Sequence, residues 1–305
     1  MFPAGFRDWM ICTAASSMMY VLGLLSPIMA RPLSLFYSFP SMLSAFEHGA
    51  LFALSCALFS AAAAAMVTSE IYGVMVFLMF GLSGLLTGLA ARCGLKDGNL
   101  IVAASGFEFA GKFAAVVLYF QVSGINLMSP NPADIEKMIQ VFTGVQADSP
   151  LTRDAAAGLA LLVPYNMILF SAVEAILCML LVSFIHRKKK GKGFFALPPF
   201  SSWFFPRSLL IALLAGFICV RFAQEKESLY MMRQVGANLS EISKTFFIVQ
   251  GLSCLYYFME QRGTPRFLRI TAVFFAPFIP VLSYVLAVTG IADMGFNFRR
   301  RARGT

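Results

Sequence analysis

The chain has 305 residues, 59% of them hydrophobic and 13% charged, with a mean hydropathy of +0.76. A water-soluble domain of this length cannot enclose so much apolar surface, so lipid must cover much of it. The net charge of +9 gathers in short loops and the tail instead of on one face, a pattern that orients a chain in a bilayer and excludes a nucleic-acid-binding surface.

A helix needs about 20 apolar residues to cross the hydrocarbon core. On that ruler, spans are predicted near Trp9 to Met29, Gly49 to Val67, Tyr72 to Ala91, Asn99 to Phe120 and Ala155 to Ile185. Three more follow at Ser208 to Phe222, Leu239 to Phe258 and Phe267 to Gly290. The shorter stretch Pro32 to Phe46 contains Pro40 and reads as a tilted or broken span or a re-entrant element. The predicted fold is therefore all-α, a polytopic transmembrane bundle of about eight to nine spans.

Charge orients the spans. Arg187 to Lys192 holds five Lys or Arg in six positions and is expected in the cytoplasm. Counting back, the loop Gln121 to Asp154 is external, with Lys137 and Arg153 against four acids. Residues 1–190 then form a six-span bundle with both ends inside. Residues 191–305 supply a basic and aromatic linker, further transmembrane helices and an Arg-rich tail. A single last span would place Arg299, Arg300, Arg301 and Arg303 outside, against the positive-inside rule. Pro277 and Pro280 split that segment, and a bent hairpin would return the tail to the cytoplasm, so the parity stays open.

In the external loop, Asn131 can cap a helix with Pro132 at its first position. Ile135, Met138, Ile139 and Phe142 then share one face before Gly144, as a surface helix or a lid over an external pocket. Small residues at four-residue steps predict close helix packing at Gly49, Ala53, Ala57, Ala61 and Ala65, at Gly81, Gly84 and Gly88, and at Gly106, Ala110 and Ala114.

Recognisable catalytic chemistry is sparse, and an enzyme is not expected. Gly106 to Lys112 reads GFEFAGK, close to a phosphate-binding loop. Phe113 stands where that loop needs Ser or Thr, and the run lies inside an apolar helix, so it binds no nucleotide. With two histidines in the chain, HExxH is absent, and no GxSxG occurs. Glu47 and His48 read as solvated ends of a cytoplasmic turn, and His186 as part of the basic loop. Cys12, Cys56, Cys93, Cys178, Cys219 and Cys254 show no CxxC spacing; five lie in apolar segments and read as small core residues, with no disulfide framework, metal site or cofactor implied.

The candidate polar site lies within the spans. Glu108 and Lys112 stand at i,i+4 in the order that favours an ion pair. Glu174 is a third intramembrane charge, with Asn166 and Phe170 before it at four-residue steps on the same face. A charge at the bilayer centre costs about 2.5–3.5 kcal/mol on insertion scales, so Glu108, Lys112, Asn166 and Glu174 are either a polar pocket or ion pathway, or interior glue between helices.

Three segments carry a family resemblance: LPPFSSWFFP at Leu197 to Pro206, FIVQGLSCLYYFMEQRG at Phe247 to Gly263, and GIADMGFNFRRR at Gly290 to Arg301 after a proline-split segment. In this order they resemble the YybS-like family of predicted bacterial membrane proteins, a domain family of unknown function. The first six spans also resemble the S-component of energy-coupling-factor vitamin transporters, through a short second helix, glycine-rich third and fourth helices and both ends in the cytoplasm. S-components carry AxxxA in the first helix for docking a coupling subunit, where this chain has Ala14, Ala15, Ser16 and Ser17 in a row. That resemblance implies a small-molecule solute and separate membrane and ATPase subunits as partners. The expectation is a solute-binding, transport-related protein of the bacterial cytoplasmic membrane, with a non-catalytic scaffold or assembly factor as the alternative.

Overall fold

Proline and glycine punctuate the helices of this chain. The computed structural model describes residues 4–136, 150–223 and 227–299, and helix dominates them, without a strand. The chain divides into two compact units, residues 1–196 and 197–305.

Unit 1 opens with α1 (Ala4–Leu25), α2 (Pro27–Ser34) and α3 (Phe39–His48). Pro27 and Pro40 each sit in a first helical turn, where a missing N–H is harmless. The stretch Pro32 to Phe46 is thus broken, with turn residues 35–38 between two short helices. Gly49, at φ +99°, ends α3 and admits α4 (Ala50–Val67). Next come α5 (Glu70–Val76), a π-helical segment Phe77–Leu82 and α6 (Ser83–Arg92), which together make one apolar rod of 23 residues. They lead to α7 (Asp97–Ser123), α8 (Pro150–Leu161) and α9 (Val163–Lys190). Residues 132–136 are helical and Asn131 Oδ1 accepts the Ala133 N–H at 3.1 Å, while Met138, Ile139, Phe142 and Gly144 lie outside the described residues.

Small residues set the packing of unit 1. Ala53, Ala57, Ala61 and Ala64 of α4 are buried. Gly84 and Gly88 of α6 lie directly on main-chain atoms at the start of α3, Ser38 just before the helix and Met42 within it, so a β-carbon at either would overlap them. The third expected small face is corrected: Gly106, Ala110 and Ala114 are exposed, and α7 turns Ala104, Glu108, Gly111, Lys112 and Ala115 inward. Two charged side chains decide this rotation. Facing them to lipid would cost more than a small-residue contact returns.

Unit 2 contains α10 (Ser208–Ala223), α11 (Tyr230–Gln261), α12 (Arg266–Phe275) and α13 (Pro280–Phe296). The axis of α11 lies against α10 and α13, and the carbonyl of Phe247 rests on Gly290. The helices on either side of Ile279 are bent by 106°, at the prolines that split the last segment.

Among the described residues, five helices are long and apolar enough to cross a membrane, or six if the bent pair counts as one span. This is fewer than the eight to nine read from the sequence. The 16 residues of α10 fall short of a full crossing, and α11, though 32 residues long, carries polar residues through its length. The Ala155 to Ile185 segment is interrupted before Pro164, and the broken α2–α3 pair is too short per helix. Large apolar side chains such as Leu51, Met66 and Ile211 are more than 70% exposed, a surface suited to lipid.

Candidate functional site

The helix α7 carries Glu108 and Lys112 one turn apart, and α9 packs against that face. Lys112 Nζ lies 3.3 Å from Glu108 Oε2 and 2.5 Å from Glu174 Oε2. It also donates to Ser171 Oγ at 3.3 Å, while Ser171 donates to the Met167 carbonyl at 2.7 Å. Of the three N–H donors of the ammonium, two hydrogen-bond Glu108 and Ser171, and the Glu174 carboxylate adds a charge contact. The Phe80 ring of the π-helical segment stands 5.7 Å from the same Nζ, within cation–π range. Glu108 is fully buried, and its Oε1 has no hydrogen-bond partner. Ser38 lies beside it, but the Ser38 hydroxyl is engaged with Ser83 Oγ at 3.2 Å.

Three of the four expected site residues therefore meet. Asn166 does not. It precedes Glu174 by two helical turns, about 12 Å along the axis, and is half-buried without a side-chain hydrogen bond. Ser171 and Phe80 complete the site without having been singled out; Ser171 was detectable as the polar residue one turn before Glu174.

A second polar cluster lies at the basic end of α9. Lys189 Nζ bridges Asp8 Oδ2 at 2.8 Å and Glu47 Oε2 at 3.1 Å. His186 Nδ1 faces Glu47 Oε1 at 3.5 Å, and His48 Nε2 lies 3.9 Å from Asp8 Oδ2. The histidine and Glu47 side chains are at most 19% exposed, so the reading of Glu47 and His48 as solvated ends is corrected. Helix packing brings α1, α3 and α9 together here, and sequence spacing carries no trace of it.

Unit 2 holds a buried network of its own. Asp293 and Arg299 pair at 2.8 Å, with Asp293 fully buried. Gln250 Nε2 donates to Asp293 Oδ2 at 2.5 Å, and Gln250 Oε1 accepts the Phe205 N–H at 3.1 Å. Arg299 also donates to the Ser201 and Trp203 carbonyls, each at 2.8 Å, and to Ser253 Oγ at 2.7 Å. Gln250 and Ser253 come from the middle motif, Ser201 to Phe205 from the first, and Asp293 and Arg299 from the last. The three segments that carry the family resemblance thus converge on one guanidinium.

The sequence model of DUF2232, described as predicted membrane protein, matches residues 14–294. The chain belongs to that family. Among curated proteins, this DUF2232 member is similar to the uncharacterized protein YybS of Bacillus subtilis (strain 168), at 25% identity over 107 residues. That match covers 35% of this chain and 34% of the relative, so the chain spans about a third of the relative's length there. No solved structure matches the chain. The DUF2232 match includes Glu108, Lys112, Glu174, Gln250 and Asp293, whereas Asp8 and Arg299 lie beyond its ends.

Proposed function

We propose that this protein binds a small solute within the bacterial cytoplasmic membrane as part of a transport system, with Lys112, Glu108 and Glu174 as its polar centre. The observation that carries the reading is Lys112 Nζ held between carboxylates of two different helices inside apolar, span-length segments. Ionisable groups at that depth face a bundle interior or a cavity and are functional by default. Two carboxyl groups serve one amine, so a solute bearing a cationic amine matches the site and would compete with Lys112 for the acids.

The likeness of unit 1 to S-components is supported by its five long apolar helices and the broken α2–α3 element. On this reading energy comes from separate ATPase subunits, and Arg187 to Lys192 faces the cytoplasm. One observation favours the scaffold reading instead: Lys112 is already engaged within its own chain, by hydrogen bonds to Glu108 and Ser171 and a charge contact with Glu174.

The test is native mass spectrometry of protein extracted gently from its own membrane. The expected result is a small-molecule adduct that Glu174→Gln loses while thermal unfolding stays near the parent's. Co-purifying proteins with no small-molecule adduct would replace the transport reading with the scaffold. Orientation is checked with single cysteines in a cysteine-free chain. Gly124→Cys should react with an impermeant reagent from outside, and Lys190→Cys only after the membrane is opened.

A further inference from the structure

The chain has two histidines, His48 and His186, on different helices, and each lies against one of two neighbouring acids, His48 against Asp8 and His186 against Glu47. Asp8, Glu47 and His48 each offer one donor atom within 4.8 Å of the others. His186 Nδ1 stands 3.5 Å from Glu47 Oε1 at the edge of that group, outside the 4.8 Å that encloses the other three, and would swing in as a fourth donor. Glu47 is 6% exposed in its side chain, and both its Oε1 and the His186 Nδ1 are buried without a hydrogen bond. The two atoms face each other at 3.5 Å, without a hydrogen bond to hold either one. Phe46 and Phe194 flank the imidazole, with ring centroids 4.9 and 6.5 Å from it, and hold it in place.

We propose that Asp8, Glu47, His48 and His186 form a binding site for a divalent transition-metal ion of the zinc class, with Lys189 as the internal cation that the metal displaces. Mixed imidazole and carboxylate donors suit zinc, which takes four ligands in a tetrahedron. Two carboxylates with two neutral imidazoles carry a charge of about −2, the complement of the ion. Lys189 already marks the spot as a place for a cation, since its ammonium spans Asp8 and Glu47. Its side chain is 40% exposed, so it can leave for water without unpacking a helix. Donors around zinc at about 2.1 Å lie about 3.4 Å apart, so Asp8, Glu47 and His48 must close by up to roughly 1.4 Å and His186 by more, through side-chain rotation at the helix ends. The ion would fasten the start of α1, the end of α3 and the end of α9 to one another.

The experiment uses the full chain in detergent, purified with a tag free of histidine, stripped with chelator and dialysed against Zn2+. One equivalent per chain is expected, and Co2+ should give the intense visible absorption of a four-coordinate site. His48→Gln with His186→Gln should weaken zinc binding by about 100-fold or more, on the scale of removing metal-site partners. Lys189→Met should strengthen it, because a competing cation is gone, and this variant keeps all four ligands if the histidine variant fails to fold. The proposal is overturned if no zinc binds, if the double histidine variant binds as the parent does, or if Lys189→Met binds more weakly.

Discussion

Arg299 reaches back over the end of α13 to Asp293, donating through Nε at 3.1 Å and Nη2 at 2.8 Å. The reversal is made by Asn297, whose φ of 54° and ψ of 52° are left-handed. Its N–H closes on the Asp293 carbonyl at 2.8 Å, and Asn tolerates that conformation better than other residues with a β-carbon. One acid is therefore held twice, through its backbone by the helix cap and through its side chain by the arginine.

Removing one partner of this pair should be worse than removing both. Arg299→Met leaves Asp293 charged and buried beside Gln250, at a cost of about 3–5 kcal/mol. Arg299→Met with Asp293→Leu should recover a large part of that loss. Thermal unfolding of the single and double variants in detergent measures the coupling, and additive losses would dissolve the pair.

The triad of unit 1 predicts an order of damage. Glu108→Gln and Glu174→Gln each leave Lys112 one acid partner, and both should unfold within a few degrees of the parent. Lys112→Met strands two acids between α7 and α9 and should be the most destabilising of the three, by about 3–5 kcal/mol. Equal unfolding temperatures for all three variants would remove the bridging role of Lys112.

Gly290 and Gly295 of α13 offer a matched steric test. A β-carbon on Gly290 would overlap the Phe247 carbonyl of α11, whereas one on Gly295 meets nothing within 4 Å. Gly290→Val should destabilise by about 1–3 kcal/mol or more through forced helix separation. Gly295→Ala should be neutral or stabilising by about 0.5–1 kcal/mol, through the helix preference for Ala. Reversal of that order would show that α11 and α13 do not meet at Gly290.

The exposed end of α11 gives a pH prediction. Arg269 hydrogen-bonds Glu260, and that bond is the largest of the effects holding its carboxyl below the usual carboxylate range. Stability from this pair is present above the unfolded carboxylate pKa and is lost as pH falls through the lowered folded value. Glu260 is 44% exposed, so water screens the pair and its worth stays under about 1 kcal/mol. The parent and Glu260→Gln should differ slightly in unfolding temperature at pH 7 and converge in strong acid. A gap that widens on acidification would contradict the pairing.

The sequence made some of this legible for a physical reason. Glu108 and Lys112 are one helical turn apart, so their pairing follows from spacing alone. The partner of Glu174 depends on which face of α9 meets α7, and no local pattern encodes that. Arg299 was hidden inside a run of arginines that spoke for orientation. A better signal was Asp293, the one acid between Phe267 and Phe298, since an acid in an apolar segment needs a counter-charge. The span count suffered because hydropathy reports apolar content. It does not see a 106° bend or a helix that stops short.

The π-helical segment Phe77–Leu82 winds wider than its neighbours and so holds slack in an otherwise taut rod. Carbonyls that a wide turn leaves poorly served are met by hydroxyls, with Ser83 donating to Met79 and Ser41 approaching the Phe80 oxygen. Sliding that slack one residue along would turn Phe80 by about 100° without changing the length of the rod. The aromatic ring beside Lys112 would swing aside while the helix ends stayed anchored.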